Sequence, residues 1–135
     1  MIVEIQKSWF SLNQCKSNPN KLYVFGDNLI RVGEAGQAGI RSADNSVGLA
    51  TKKLPSCGKN AYFTDHYENY MTIVEEIARV ILTFKDGDYD TLVLPYAKLG
   101  TGLSKMPEKS PELFRWMNSI LSEVLNIDYN YEPII

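Results

Sequence analysis

Residues 91–117 read TLVLPYAKLGTGLSKMPEKSPELFRWM. The stretch opens on an unbroken apolar run, Thr91 to Tyr96, of the length expected for a strand buried on both faces. Gly100-Thr101-Gly102 follows. Ser110 and Pro111 then open an amphipathic helix, with serine as N-cap and proline at the first helical position, where its missing N–H is not needed. Leu113, Met117, Ile120, Leu121, Val124 and Leu125 recur at three- and four-residue steps and form its expected buried stripe. Glycines between such a strand and helix leave backbone N–H groups unshielded, and a nest of that kind holds anionic oxygens. The plainer reading is that Gly100 and Gly102 only permit a tight turn.

Upstream, the same alternation repeats. LYVF (22–25) and SVGLAT (46–51) read as strands, separated by GQAGIRSADN (36–45), which suits one or two helical turns. NAYFTD (60–65) reads as another short strand. Thr64 or Asp65 then caps a helix through about Val80, with Tyr67, Tyr70, Met71, Val74, Ile77, Ala78 and Ile81 at helical spacing and Asp65 and Glu68 near its positive end. FKDGDYD (84–90) turns about Gly87. NIDYNYEPII (126–135) suits a final edge strand, because Pro133 would be awkward in a central one. This order predicts a three-layer α/β/α fold with a mostly parallel or mixed central sheet, in one domain spanning 1–135. In such folds ligands bind beyond the carboxyl ends of the strands.

Composition narrows the function. The 135 residues carry 14 basic and 16 acidic side chains, a formal net charge of −2, which argues against a protein built mainly to grip nucleic-acid phosphates. Cys15 and Cys57 lie far apart with no CxxC spacing, and His66 is the single histidine, so no metal site is expected. Two such cysteines suit a reduced compartment, although they could also pair. No secretory start or spanning apolar run is present, and the expectation is a cytoplasmic protein without membrane partners. The sequence leaves the oligomeric state open. His66, beside the helix start, reads as a cap or surface residue. Tyr62, Phe63 and Tyr96 could stack on a base, but aromatic residues on strands are usually core, and Trp9 and Trp116 read most simply as packing.

Three strand ends carry unusual residues. Gly26-Asp27-Asn28 follows the first strand; it is good turn chemistry, and it also sets a carboxylate where a ligand amine or hydroxyl would lie. Gly33, Gly36 and Gly39 follow at three-residue spacing and open a short helix whose amides could cradle a phosphate, although neither the dinucleotide fingerprint nor the P-loop is present. Thr51-Lys52-Lys53 ends the second strand. Adjacent lysines there suit a solvated edge; a lysine facing a pocket can instead pair with phosphate or attack a sugar carbon. The third end is the Gly100–Gly102 turn. Two such turns in one small domain favour a diphosphate, which needs donors on both sides.

Taken in order, GDN, AGQAGI, LATKK, DHYENYMTIVEEI and VLPYAKLGTGLSKMP resemble the ADP-ribose site of the macrodomain family, nearest its terminal ADP-ribose protein glycohydrolase branch. The resemblance runs from about Leu22 to Val124. It implies that Gly26, Asp27 and Asn28 bind the ligand, with Asp27 accepting from the adenine amine. It implies that Gly36, Gln37, Ala38, Gly39 and Ile40 line the loop beside the distal ribose and diphosphate, and that Gly100, Thr101, Gly102 and Leu103 form the second phosphate loop. Lys52, beside Thr51, falls on the branch's nucleophilic lysine, and no metal or other cofactor is required.

One departure decides between binding and turnover. The branch places an acidic residue after its Gly-x-Gly-Leu loop, where this chain has Ser104, and a serine hydroxyl cannot take a proton as a carboxylate does. The aspartate of the commoner macrodomain hydrolases is also absent, since the first glycine loop runs on as Gly39-Ile40-Arg41. The expectation is therefore a module that binds, and sequesters, ADP-ribose or an NAD-derived nucleotide. The alternative is a hydrolase acting on ADP-ribosylated macromolecules or on ADP-ribose 1''-phosphate, with Lys52 and Ser104 as its candidate catalytic residues.

Overall fold

A computed structural model describes residues 1–130 of the chain. Strands β1 (Ile2–Gln6), β2 (Lys21–Asn28), β3 (Ser46–Lys52) and β4 (Thr91–Pro95) alternate with helices α1 (Leu12–Ser17), α2 (Tyr67–Asp86), α3 (Met106–Lys109) and α4 (Pro111–Leu125). The sheet order is β1-β4-β2-β3. All three neighbouring pairs are parallel, with Tyr23 opposite Val93 and Phe25 opposite Gly48. The described sheet is therefore parallel, not mixed. Its connections explain this: each returns to the same end of the sheet, β3 to β4 through the 20-residue α2 and β2 to β3 through a 3₁₀ turn at Gly36–Ile40.

Apolar side chains leave the sheet on both faces, so the strands read as runs instead of alternations. Leu22, Val24, Leu49, Leu92 and Leu94 pack with Ile73, Ile77, Val80 and Phe84 of α2 and with Leu113, Phe114, Met117 and Leu121 of α4. On the other face Tyr23, Phe25 and Val93 pack with Phe10, Cys15 of α1, and Ala38 and Ile40 of the 3₁₀ turn. Cys15 is buried, Cys57 is exposed, and both are free thiols.

Several expectations need correction. β2 does not end at Phe25. It continues through Gly26-Asp27-Asn28, which pair with β3 and carry an irregularity between Asp27 and Asn28; ladder hydrogen bonds outweigh the local turn preference. NAYFTD is not a strand: a 3₁₀ turn at Lys59–Ala61 lets the Ala61 carbonyl accept from the N–H groups of Lys53 and Leu54. α2 runs to Asp86, and its buried face is Asn69, Ile73, Glu76, Ile77, Val80 and Phe84, whereas Tyr67, Met71 and Val74 are exposed. That helix is apolar on more than one side, so spacing alone could not choose the face. Val124 of α4 is likewise exposed. His66 is the N-cap of α2, its Nδ1 accepting from the Glu68 N–H. Asp65 instead accepts from the Leu113 N–H and so caps α4, while the Ser110 hydroxyl, at the N-cap position, has no partner among the described residues. Within the expected last strand, residues 126–130 are irregular; the rest of it lies outside the described residues.

Candidate functional site

The carboxyl ends of all four strands open into one pocket of about 390 Å³. Gln6 ends β1 there, Asp27 and Asn28 end β2, Thr51 and Lys52 end β3, and Pro95 ends β4. Both glycine turns reach it, through Gly36, Gln37 and Ala38 on one side and Gly100 to Ser104 on the other. Gly26 contributes as well. Gly39 does not line the pocket, and Ile40, which the resemblance placed beside the ligand, is buried in the core at 1% exposure.

The second turn is held from below. Tyr129 donates its hydroxyl to the Pro95 carbonyl at 2.6 Å and accepts from the Leu99 N–H at 3.1 Å. Burial pushes that phenol well above its ordinary titration range. Gly100 has φ +93°, and a Cβ on it would lie 2.6 Å from the Met106 sulfur, so the turn needs glycine for both conformation and space. Among the described residues the N–H groups of Gly100, Gly102, Leu103 and Ser104 find no acceptor, nor do those of Gly36 and Gln37 at the first turn. These are the donors that an anion requires.

Asp27 behaves differently from the expectation. Arg41 grips it through both oxygens, at 2.9 and 2.5 Å, its own backbone neighbour Asn28 donates to it at 2.8 Å, and its side chain is 1% exposed. The protein already supplies three hydrogen bonds to this carboxylate, so an adenine amine has to compete with Arg41 and Asn28 for it. Beside it, Asn28 Nδ2 donates to the Val32 carbonyl, while Asn28 Oδ1 is buried and has no donor among the described residues. The loop between β2 and the first glycine turn is braced by Arg31, at φ +58°, whose guanidinium meets Glu76 of α2 at 3.0 and 2.6 Å. Glu76 also accepts from the Ala50 N–H at 2.7 Å.

At the far wall, Lys52 is 6% exposed, donates to the Ser56 carbonyl at 2.9 Å, and lies over the Tyr62 ring at 4.8 Å. It is not part of a solvated edge. Thr51 and Ser104 share a hydrogen bond of 2.5 Å between their hydroxyls, tying the end of β3 to the second glycine turn. The sequence reading missed Lys7, Trp9, Arg41 and Lys98, all of which line the pocket. Trp9, expected in the core, is 69% exposed, and Tyr96 is 55% exposed. Lys7, Arg41, Lys52 and Lys98 stand against Asp27 as the only carboxylate among the described lining residues. A chain of net negative charge thus turns a cationic surface inward. No group of His, Cys, Asp and Glu side chains that could hold a metal ion occurs among the described residues, and no described helix is long and apolar enough to cross a membrane.

Residues 5–120 match a family of unknown function, DUF7831. The chain belongs to that family. The part shared with DUF7831 takes in the ends of all four described strands, both glycine turns and every described lining residue; Tyr129, which pins the second turn, lies beyond it. No curated protein and no solved structure matches the chain.

Proposed function

We propose that the pocket binds ADP-ribose or a related NAD-derived nucleotide and sequesters it, in a three-layer, macrodomain-like fold. The observation that carries this reading is the convergence of two glycine turns on one pocket; among the described residues their N–H groups find no acceptor and the lining holds four cations and a single carboxylate. A diphosphate lies between the turns, where amides from both sides meet its oxygens. Lys52 contacts the distal ribose or its substituent.

Binding is favoured over turnover because the described lining residues include no histidine and no carboxylate free to act as a general base. Asp27 is consumed by Arg41, and neither Glu34 nor Glu108 lines the pocket. The hydrolase alternative rests on Lys52, whose ammonium already donates to Ser56, and on Ser104, whose hydroxyl is tied to Thr51. Calorimetry with ADP-ribose, followed by chromatography of the recovered ligand, tests both readings. Saturable binding with intact ligand is expected. Conversion of the ligand would replace sequestration by hydrolysis, and no binding would remove the proposal.

A further inference from the structure

Trp9 stands at the pocket mouth with its indole 69% exposed. A single exposed aromatic needs no explanation by itself, but this one is held in place by the site. The Trp9 carbonyl accepts from Gln6 Nε2 at 3.4 Å, and the N–H of the next residue, Phe10, donates to Gln37 Oε1 at 2.9 Å. Gln6 ends β1 and Gln37 sits in the first glycine turn, so both flanks of Trp9 are tied to pocket residues. A Cβ built on Gly36 would lie 3.9 Å from the indole, which places the ring against that turn. Tyr96, another exposed aromatic of the lining, already has Lys7 and Lys98 over its ring at 5.3 and 5.7 Å. Trp9 has no ring or cation partner among the described residues.

We infer that Trp9 is the stacking platform for the nucleobase, and that the base is recognised by its face instead of its hydrogen-bonding edge. The inference rests on the proposed nucleotide site and concerns how that site selects. Asp27, the carboxylate that would read an exocyclic amine, is engaged by both guanidinium N–H groups of Arg41 and by the Asn28 N–H, and its side chain is 1% exposed. Discrimination by large factors needs a buried polar group that the wrong ligand leaves unpaired. Stacking supplies none, because every base has a π-face. The site therefore selects a ribose diphosphate and tolerates the purine attached to it.

The test uses the full chain, calorimetry and tryptophan fluorescence, with ADP-ribose, ADP, GDP and base-free pyrophosphate as ligands. In Trp116→Phe, where Trp9 is the remaining tryptophan, ADP and GDP should quench emission and bind within about threefold of each other. Trp9→Ala should lose roughly 5- to 100-fold in affinity for both nucleotides, with pyrophosphate unchanged and Trp9→Phe recovering most of the loss. Unaltered nucleotide affinity in Trp9→Ala, or ADP bound more than tenfold tighter than GDP, would overturn the inference while leaving the pocket's nucleotide function intact. A wild-type chain that binds none of the four ligands would overturn both.

Discussion

Arg41 and Asp27 meet through two hydrogen bonds at the end of β2, and that pairing fixes what the pocket floor can do. Gly48 on the neighbouring strand makes room for it, since a Cβ there would land on the Asp27 carboxylate. Asp27→Asn should destabilise the fold by about 2–4 kcal/mol, because a largely buried cation loses its partner; the figure is held down by the 22% exposure of the Arg41 side chain. Gly48→Ala should act through the same contact, so the double variant should cost less than the sum. Urea unfolding of the four proteins checks this. Simple additivity would mean that the two residues are not coupled.

Acid should loosen the brace between α2 and the first glycine loop. Burial pushes the Glu76 carboxyl up, but hydrogen bonds from Arg31 and the Ala50 N–H, with the charges of Arg31 and Arg79, outweigh it and hold the group below its ordinary 4.5. A carboxylate with a depressed folded value stabilises the fold above its unfolded value, and that contribution disappears as the pH falls through the folded one. Wild type should thus lose stability progressively below about pH 4.5. Glu76→Gln should be less stable by about 1–3 kcal/mol at neutral pH and show a flatter decline in acid. Thermal melts from pH 3 to 7 would reveal it, and parallel curves would contradict it.

The second glycine turn should depend on a residue thirty positions away. Tyr129→Phe leaves the Pro95 carbonyl and the Leu99 N–H without their shared hydroxyl. Leaving such buried groups unpaired costs about 1–3 kcal/mol. Amide exchange at Leu99 should accelerate more than exchange in β2 or β3, because the loss is local to the turn. Uniform acceleration would show that Tyr129 supports the whole fold and not this turn in particular.

The sequence made some of this visible and hid the rest for physical reasons. β2, β3, β4 and the long helices announce themselves through apolar runs and helical spacing, since burial on two faces demands them. β1 is five residues with a half-exposed edge, and α1 is six residues that bury one cysteine, so neither is long enough to show a period. Gly26-Asp27-Asn28 has turn chemistry locally; its strand conformation comes from pairing with β3 and from Arg41, fourteen residues on. The glycine turns and Lys52 were legible as pocket-lining candidates because their residue types suit the chemistry of anions. Trp9 was not, because its exposure is decided by Gln6 and Gln37, which anchor its flanks outside the core.

Lys52 offers the sharpest separation between the two ends of the ligand. Its ammonium is anchored by the Ser56 carbonyl and the Tyr62 ring, and Lys109 also lies over that ring at 5.1 Å, so a second cation remains when Lys52 is changed. Lys52→Met keeps most of the apolar stem while removing the charge and the donor. The pocket wall should therefore survive, with thermal stability reduced by no more than about 1.5 kcal/mol, the scale of one net hydrogen bond. If Lys52 touches the distal ribose, ADP-ribose should bind roughly tenfold more weakly to Lys52→Met, the scale of one hydrogen bond to a charged group, while AMP, which ends short of that ribose, should bind as to wild type. Equal losses for the two ligands, measured by calorimetry, would move Lys52 to the phosphates and reverse the orientation proposed for the nucleotide.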